Sequence, residues 1–412
     1  MTGASESAGH FLMGIFIMKT ILVLSTSTVV AHVVRALEVS KRLREMGYRI
    51  VFGGGGRPLA AVQAAGFEVH PLPEIDIAWA LARIWQGPAA VHTVELVEQF
   101  VDAEMALLRE LRPDAVFQDG RLTASTSAAI AGLPLISLNN AYGTPYAVNG
   151  LLSFKSPGQP PVVGPGGEAA YNVVRARFGL PPRSSVLELI VGDLTLMCDA
   201  AEYAPVANAP TSFHYVGPLI WNGPAAAPPW LAELDPARPT LYFTMGSTGP
   251  IEAFRVAFEA FAGSEYQVLL TTGGLVKPED LPPVPAGFHL IPMGPGNLLA
   301  RRADVVVCHG GNGTIYQGLT EGAPLVAWPY VQDQHWNARR LVELGLGVAV
   351  AAPTPAGLRA AVTEALGNPA YRAAAGRFKT ILAGYHGPQT AAELIDRFLS
   401  SGASLHCVQG RL

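Results

Sequence analysis

The chain has 412 residues, of which 50% are hydrophobic and only 15% are charged, with a formal net charge of −4. This length predicts two domains, and the absence of a run of lysines or arginines argues against a nucleic-acid partner. Three cysteines, Cys198, Cys308 and Cys407, lack the spacing of a disulfide framework or a zinc site. The sequence therefore predicts a cytoplasmic protein without a structural metal.

Residues 1–17 contain an apolar stretch that is too short to span a bilayer, with neither a preceding basic segment nor a following cleavage site. We expect them to be an extension upstream of the first strand, which begins after Met18. Since no other apolar run reaches the roughly 18 residues of a membrane span, we expect no stable membrane span. The sequence leaves open whether the chain forms a homodimer.

Strands and helices alternate over the first half of the chain. Buried strands are predicted over 19–25, 48–56, the end of 62–72, 111–120 and 134–140, with a helix-period segment at 33–47. Such alternation predicts a parallel sheet covered by helices on both faces. Two other stretches, 75–108 and 139–158, are richer in aromatic and long apolar side chains.

The composition changes after residue 216, where Pro, Ala and Gly predominate, and strands then resume over 240–247, 266–274, 289–294, 304–311 and 324–329. The predicted organisation is an N-terminal domain at 18–216, a linker at 217–237, a C-terminal domain at 238–385, and a helix and tail at 386–412. Two α/β domains around a linker imply a cleft between them, where ligands often bind.

Three predicted strands of the second half end in small or polar bends, TMGST, TTGG and HGGNGT. In HGGNGT (309–314) backbone N–H groups and the positive end of a helix dipole can bind an anion. His309 and Thr314 add hydrogen-bond donors to this bend. A tight structural turn is the alternative, and neither the dinucleotide fingerprint nor the phosphate loop occurs.

Two further pairs of residues could carry chemistry. Asp333 and Gln334 precede a predicted helix, and a neighbouring carboxylate and amide can bind vicinal hydroxyls. Alternatively, Asp333 caps that helix and Gln334 is solvated. In the first half, His32 and Asp119 lie at the carboxyl ends of strands, where a carboxylate can orient a histidine as general base. A structural histidine is the alternative.

These segments together resemble the family 1 nucleotide-sugar-dependent glycosyltransferases of the bacterial natural-product type. HGGNGT and PLVAWP…DQ…NA are similar to the donor-binding signature, whereas AHVVRALEVSKRL and RPDAVFQDGRLTASTSAAIAGLPLI are similar to the catalytic segments. The match extends from Met18 to about Leu399. The resemblance implies an α/β protein of GT-B fold, with two Rossmann-like, doubly wound parallel-sheet domains facing a central cleft.

The same resemblance implies roles for individual residues. His32 would be the catalytic base with Asp119 as its partner, and Asp333 and Gln334 would bind sugar hydroxyls. The remaining donor-binding residues would be Ser247, Thr248, Met293, His309, Gly311, Asn312, Gly313 and Thr314. The chain departs from the family at Ala31, where glycine is usual, and at Met293, where glutamine is usual.

The implied activity is inverting transfer of a hexose or deoxyhexose from a UDP- or dTDP-sugar to a hydroxyl of a lipophilic aglycone, such as a polyketide or phenol. The nucleotide sugar is a co-substrate, and neither a cofactor nor a metal is expected. The alternatives are a sugar-nucleotide epimerase of the same fold and a non-catalytic helper of another glycosyltransferase. Aromatic side chains are predicted to contact the acceptor, although each could instead be core: Trp79, Trp85, Phe100, Tyr142 and Tyr146.

Overall fold

The computed structural model describes residues 18–401, except 85, 87–89, 152, 155–165 and 224–225. The predicted extension at 1–17, the predicted acceptor residue Trp85 and the third cysteine, Cys407, therefore lie outside the described residues. In the part of the chain that is described, no helix is long and apolar enough to cross a membrane.

The first half of the chain forms a seven-stranded, all-parallel sheet in the order β3-β2-β1-β4-β5-β6-β7. Its strands are β1 (Thr20–Ser25), β2 (Arg49–Gly54), β3 (Glu68–Pro71), β4 (Ala115–Asp119), β5 (Leu135–Asn139), β6 (Leu194–Met197) and β7 (Phe213–Tyr215). Its helices are α1 (Val30–Glu45), α2 (Leu59–Ala64), α3 (Ile77–Ile84), α4 (Val94–Leu111), α5 (Ala124–Ala131) and α6 (Ala169–Arg177).

The second half forms a six-stranded, all-parallel sheet in the order β10-β9-β8-β11-β12-β13. Its strands are β8 (Thr240–Thr244), β9 (Gln267–Thr271), β10 (Phe288–Ile291), β11 (Val305–Cys308), β12 (Leu325–Ala327) and β13 (Gly347–Ala349). The helices that follow are α7 (Glu252–Phe261), α8 (Gly296–Arg302), α9 (Asn312–Glu321), α10 (Gln332–Glu343), α11 (Pro355–Gly367), α12 (Pro369–Leu382) and α13 (Gly387–Ser400).

The two parallel sheets confirm the predicted fold class, since continuous apolar strands such as β1 are buried on both faces. Three strands were not predicted: β6, β7 and β13. Each has only three or four residues, too few to show a strand period.

The strand register brings the segments that follow particular strands close together. In the first sheet Ser25 at the end of β1 is aligned with Asp119 at the end of β4. In the second sheet Thr244 at the end of β8 is aligned with Cys308 at the end of β11. Because parallel strands place their carboxyl ends at one edge, each sheet presents adjacent loops there.

The two halves share a hydrophobic cluster in which Tyr142 and Tyr203 of the first half pack with Tyr316 and Trp336 of the second. The rings of Tyr142 and Trp336 stack with their centroids 4.4 Å apart. Nε1 of Trp336 also donates a hydrogen bond of 2.7 Å to the carbonyl of Asn149. The first half therefore packs directly on α10.

The chain passes between the halves twice, after β7 and again between α12 and α13. Helix α13 returns to the first sheet, where Ile395 is fully buried in the same cluster as β1 and α1. The two passages contact each other. A methyl group at Gly217 would lie 2.5 Å from Tyr385, and one at Gly387 would lie 2.4 Å from the carbonyl oxygen of Pro218.

Replacing Ile395 by alanine should destabilise the protein, because it leaves a cavity between α13 and the first sheet. We expect the free energy of unfolding to fall by about 2–5 kcal/mol, measured by denaturant titration. Glu393→Ala on the exposed side of the same helix is the control and should change it by less than about 0.5 kcal/mol. Equal effects would show that α13 contributes little to the core.

Candidate active site

His32 and Asp119 form a hydrogen-bonded pair at the carboxyl edge of the first sheet. Asp119 ends β4 and is 1% exposed, whereas His32 lies in the first turn of α1 with its side chain 31% exposed. Nδ1 of His32 is 2.6 Å from Oδ1 of Asp119. Since an ionised carboxylate only accepts hydrogen bonds, we assign the proton to Nδ1, which leaves Nε2 free to accept one.

The imidazole of His32 packs against the backbone of Gly120, the residue after Asp119. A methyl group there would lie 3.0 Å from Cε1 of the ring, and Gly120 has φ +73°, which favours glycine. Asp119, the last residue of β4, therefore supplies the carboxylate, and Gly120 leaves space for the ring.

Arg35, one helical turn after His32, completes this site and was not predicted from the sequence. Its Nε and Nη2 donate to the two oxygens of Asp119 at 3.0 and 2.7 Å, and its Nη1 donates to Asn140 Oδ1 and Cys198 Sγ. Burial alone would raise the pKa of Asp119, but the charges of Arg35 and His32 outweigh it and hold that pKa below its ordinary value. The i, i+3 spacing of His32 and Arg35 was the available signal.

On the second sheet, the glycine-rich bend after β11 encloses the side chain of His309. A methyl group at Gly311 would lie 2.2 Å from Nε2 of His309, and one at Gly246 would lie 2.4 Å from its Cε1. At Gly310, which has φ +85°, a methyl group would lie 3.0 Å from the backbone oxygen of Gln334. Gly246, Gly310 and Gly311 therefore make room for protein groups.

Gly313 differs from the preceding glycines, because a methyl group there would meet nothing within 4 Å. His309 is 6% exposed, and its Nδ1 has no hydrogen-bond partner among the described residues. Burial lowers the pKa of His309 to about 4, so the imidazole is neutral at pH 7. It can therefore donate one hydrogen bond, but it carries no positive charge.

Gln334 is buried, and both ends of its amide are used by the protein. Its Oε1 accepts from the backbone N–H groups of Tyr330 and Val331 at 2.9 and 3.3 Å, and its Nε2 donates to Thr248 Oγ1 at 3.1 Å. Gln334 thus caps the start of α10 and joins it to the loop after β8. It is neither solvated nor free.

Asp333 is half-buried at the cleft. Burial raises its pKa, which the backbone N–H groups of Asp333 and Gln334 and the charge of His32 partly oppose. Among the described residues, no side chain donates a hydrogen bond to the carboxylate of Asp333. Its oxygens can therefore accept hydrogen bonds from a ligand, unlike the amide oxygen of Gln334.

Asn312, the first residue of α9, connects the two halves. Its Nδ2 donates a 2.6 Å hydrogen bond to Oδ1 of Asp199, which follows β6 and is fully buried. The other oxygen of Asp199 accepts from the backbone N–H of Ala141 at 2.6 Å and from Asn140 at 3.4 Å. Asp199 was not predicted, because a single aspartate after a short strand carries no spacing signal.

A single cleft between the sheets contains most of the predicted site. Along with His32 and Tyr142, it is lined by Ser247, Thr248, Met293, His309, Gly311, Asn312, Gly313, Thr314, Asp333 and Gln334. Asp119 lies behind His32. Within the described residues, no group of three or more His, Cys, Asp or Glu side chains is placed to hold a metal ion.

Three predicted acceptor residues lie away from this cleft as the described residues outline it. Phe100 is 5% exposed, with the guanidinium of Arg121 4.8 Å from its ring centre. Trp79 lies under Arg83, and Tyr146 packs edge-on against Phe213. The structure therefore supports a packing role, in the core or at the surface, for Trp79, Phe100 and Tyr146. Tyr142 reaches the cleft although it also packs on Trp336.

Gly311→Ala and Gly313→Ala should have opposite effects on stability in the absence of ligand. The first places a methyl group against a buried imidazole that Gly246 confines from the other side, so we expect a loss of about 1–3 kcal/mol in the free energy of unfolding. The second adds a better helix former in open space and should gain up to about 1 kcal/mol. Thermal and denaturant unfolding test this contrast, and two similar losses would contradict the described packing.

Asp333→Asn and Gln334→Ala should also differ. Because folding raises the pKa of Asp333, its ionisation destabilises the fold, and this cost appears as pH rises through the folded-state pKa. The stability of Asp333→Asn relative to the unmodified protein should thus increase from pH 4 to pH 7. Gln334→Ala should lose about 1–2 kcal/mol at either pH. Denaturant titrations at both pH values measure these differences, and a pH-independent Asp333→Asn effect would contradict the assignment.

The chain is similar to several known proteins. Residues 268–396 match the family model of the erythromycin biosynthesis protein CIII-like C-terminal domain. A PGL/p-HBAD biosynthesis glycosyltransferase of Mycobacterium tuberculosis is 31% identical over 381 residues, covering 87% of each chain. A PGL/p-HBAD biosynthesis rhamnosyltransferase of Mycobacterium bovis is 29% identical over 378 residues, covering 87% of this chain and 83% of the relative. The calicheamicin glycosyltransferase CalG4 superposes with a TM-score of 0.72 at 23% identity, over 94% of this chain and 100% of its own.

Proposed function

Because the chain belongs to the family 1 glycosyltransferases of GT-B fold, we propose that it transfers a hexose or deoxyhexose with inversion. The donor is a UDP- or dTDP-sugar, and the acceptor is a hydroxyl group of a lipophilic aglycone such as a phenol or polyketide. One observation carries this proposal: the carboxylate-held His32 of the first sheet and the His309 bend of the second line the same cleft.

In the proposed reaction, Nε2 of His32 takes the proton of the acceptor hydroxyl as its oxygen attacks the anomeric carbon. The new carbon–oxygen bond forms on the face opposite the bond to the diphosphate, whose electron pair leaves with the nucleoside diphosphate. Asp119 stabilises the imidazolium that forms, and it does not take the proton itself. A general base of this kind contributes about 10²–10⁴-fold to the rate.

The diphosphate would lie at the start of α9. Backbone N–H groups of the first helical turn point into the bend, and the positive end of the helix dipole favours an anion there. The dipole contributes roughly 0.3–2 kcal/mol, whereas enzymes lower barriers by about 8–23 kcal/mol. Alignment of donor and acceptor in one cleft must therefore supply much of the remainder. The neutral His309 would add a hydrogen bond to a phosphate oxygen.

Asp333 is the proposed contact to the sugar hydroxyls, and Gln334 supports it from α10. The sequence-based expectation was that both residues bind sugar hydroxyls, and we assign this role to Asp333 because the amide of Gln334 is already engaged. A relative named as a rhamnosyltransferase supports a deoxyhexose as one candidate sugar.

A lipophilic acceptor is supported by the apolar wall that α1 and the segment after β7 contribute to the cleft. Val29, Val30 and Val34 at the start of α1 line it, together with Leu219 and Trp221 after β7. Burying such surface against a ring system stabilises binding by about 25 cal/mol per Å². The proposed acceptor surface thus consists mostly of residues other than the predicted aromatics.

The proposal is tested by a panel of UDP- and dTDP-sugars against phenols, polyketide aglycones and oligosaccharides, read by mass spectrometry. We expect a sugar to be added to the lipophilic compounds, and His32→Ala to abolish transfer while calorimetric binding of the nucleoside diphosphate is retained. Asp119→Asn should lose less activity than His32→Ala, since it removes orientation and charge but keeps the base. Exposed Arg42→Gln on α1 is the matched control.

Several outcomes would contradict the proposal. Full activity of His32→Ala would remove the base from the mechanism. Transfer to oligosaccharides alone would exclude the lipophilic acceptor, and an epimerised nucleotide sugar in the absence of any acceptor would indicate a different reaction.

A further inference from the structure

Tyr142 follows β5 and is held in place by both halves of the chain. The backbone N–H of the preceding Ala141 donates to Asp199 at 2.6 Å, and the carbonyl of Tyr142 accepts from the backbone N–H of Leu151 at 2.9 Å. The phenol ring stacks on Trp336 of α10. Although only 3% of its surface is exposed, Tyr142 lines the cleft. Its position is therefore fixed by protein contacts alone.

The hydroxyl group of Tyr142 carries a proton that the protein does not use. Nδ2 of Asn337 donates toward the hydroxyl oxygen at 3.5 Å and also donates to the carbonyl of Gly310 at 2.9 Å. In the part of the chain that the structure describes, no group accepts a hydrogen bond from this hydroxyl. Burial and the charge of Asp333 raise the pKa of Tyr142 well above its ordinary value, so the phenol keeps its proton at neutral pH. A hydrogen-bond donor without an acceptor thus lies at the wall of the cleft.

Asp333 presents the complementary group from α10. It lies three residues before Trp336 and four before Asn337, and these spacings place side chains on one face of a helix. Tyr142 contacts Trp336 and Asn337 on that face. As described above, no side chain of the described residues donates to the carboxylate of Asp333, and this includes Tyr142. The cleft therefore has a phenol that can donate and a carboxylate that can accept, with no direct hydrogen bond between them.

We propose that Tyr142 determines which sugar the site accepts, because its hydroxyl donates a hydrogen bond to a sugar hydroxyl that itself donates to Asp333. A sugar hydroxyl is both a donor and an acceptor, so one such group satisfies both side chains. The inference rests on the proposed function, in which Asp333 contacts the sugar. It assigns Tyr142 to the transferred sugar, whereas the sequence predicted a contact to the acceptor.

A donor sugar that lacks this hydroxyl would leave two polar groups of the cleft unpaired. Sites that hydrogen-bond a substrate hydroxyl discriminate strongly against the analogue without it, because their buried polar groups then lose a partner. The site should therefore distinguish deoxy sugars by the position of the missing hydroxyl and not by the number of hydroxyls.

The test measures binding by calorimetry in the absence of an acceptor. The probes are UDP-glucose, dTDP-glucose and dTDP-rhamnose, the single-deoxy analogues of the one that binds best, and its nucleoside diphosphate. Tyr142→Phe keeps the stacked ring and should weaken binding of the intact nucleotide sugar about 3–10-fold, without affecting the nucleoside diphosphate. One deoxy analogue should bind equally to Tyr142→Phe and the unmodified protein. Tyr371→Phe, which removes a hydroxyl of α12 that donates to Glu364, is the control and should change none of these affinities.

Asp333→Asn tests whether the two side chains bind the same hydroxyl. If they do, the losses from Tyr142→Phe and Asp333→Asn are not additive, and the double variant should bind the nucleotide sugar about as weakly as Asp333→Asn alone. With an acceptor that is glycosylated, Tyr142→Phe should lower kcat/KM for the nucleotide sugar while the KM of the acceptor stays unchanged.

Unchanged binding in Tyr142→Phe, equal losses for nucleotide sugar and diphosphate, additive losses in the double variant, or a raised KM for the acceptor alone would overturn the role of Tyr142. Each of these results is compatible with an inactive His32→Ala variant and with the proposed function. Conversely, the expected binding pattern in a protein that transfers no sugar would leave Tyr142 at the sugar and refute the proposed function. Failure of every nucleotide sugar to bind would refute both.

Discussion

The side of the cleft that the first sheet forms depends on one constraint, a carboxylate at the end of β4 that water barely reaches. An ionised Asp119 in that position must be surrounded by donors and positive charge. Helix α1 supplies both from one face, with His32 and Arg35 three residues apart. The parallel register of β1 and β4 fixes the start of α1 beside the carboxylate. The geometry of the proposed base thus follows from the need to stabilise a buried charge.

The side of the cleft that the second sheet forms is organised around a buried group of a different kind. The imidazole of His309 is enclosed by the loops after β8 and β11, and glycine at 246 and 311 is what allows the loops to approach it. Gln334 then ties the loop after β8 to the start of α10. Three loops that are far apart in sequence are therefore held together by contacts that form without a ligand. A preformed site of this kind loses little entropy when a ligand binds.

Beyond the two parallel sheets, the sequence predicted ten of the residues of the second half that line the cleft and missed others, such as Tyr242, Thr271 and Gln317. The predicted residues follow strand ends, where parallel topology brings side chains together. His32 and Asp119 were found for the same reason. Arg35 and Asp199 were missed, since an arginine on a helix normally indicates a solvated face and a lone aspartate has no partner within its own segment. Trp79 and Phe100 were placed at the acceptor site because aromatic content does not distinguish a pocket from a core.

The two passages of the chain between the halves lie against each other at Gly217 and Tyr385 and at Pro218 and Gly387. Two neighbouring covalent connections restrict how one half can move relative to the other, and a rotation about the line that joins them would disturb the connections least. Contacts far from this line, such as Asn312 with Asp199, then determine the angle at which the halves rest. The Asn312–Asp199 contact thus helps to set the distance between His32 and the bend that follows β11.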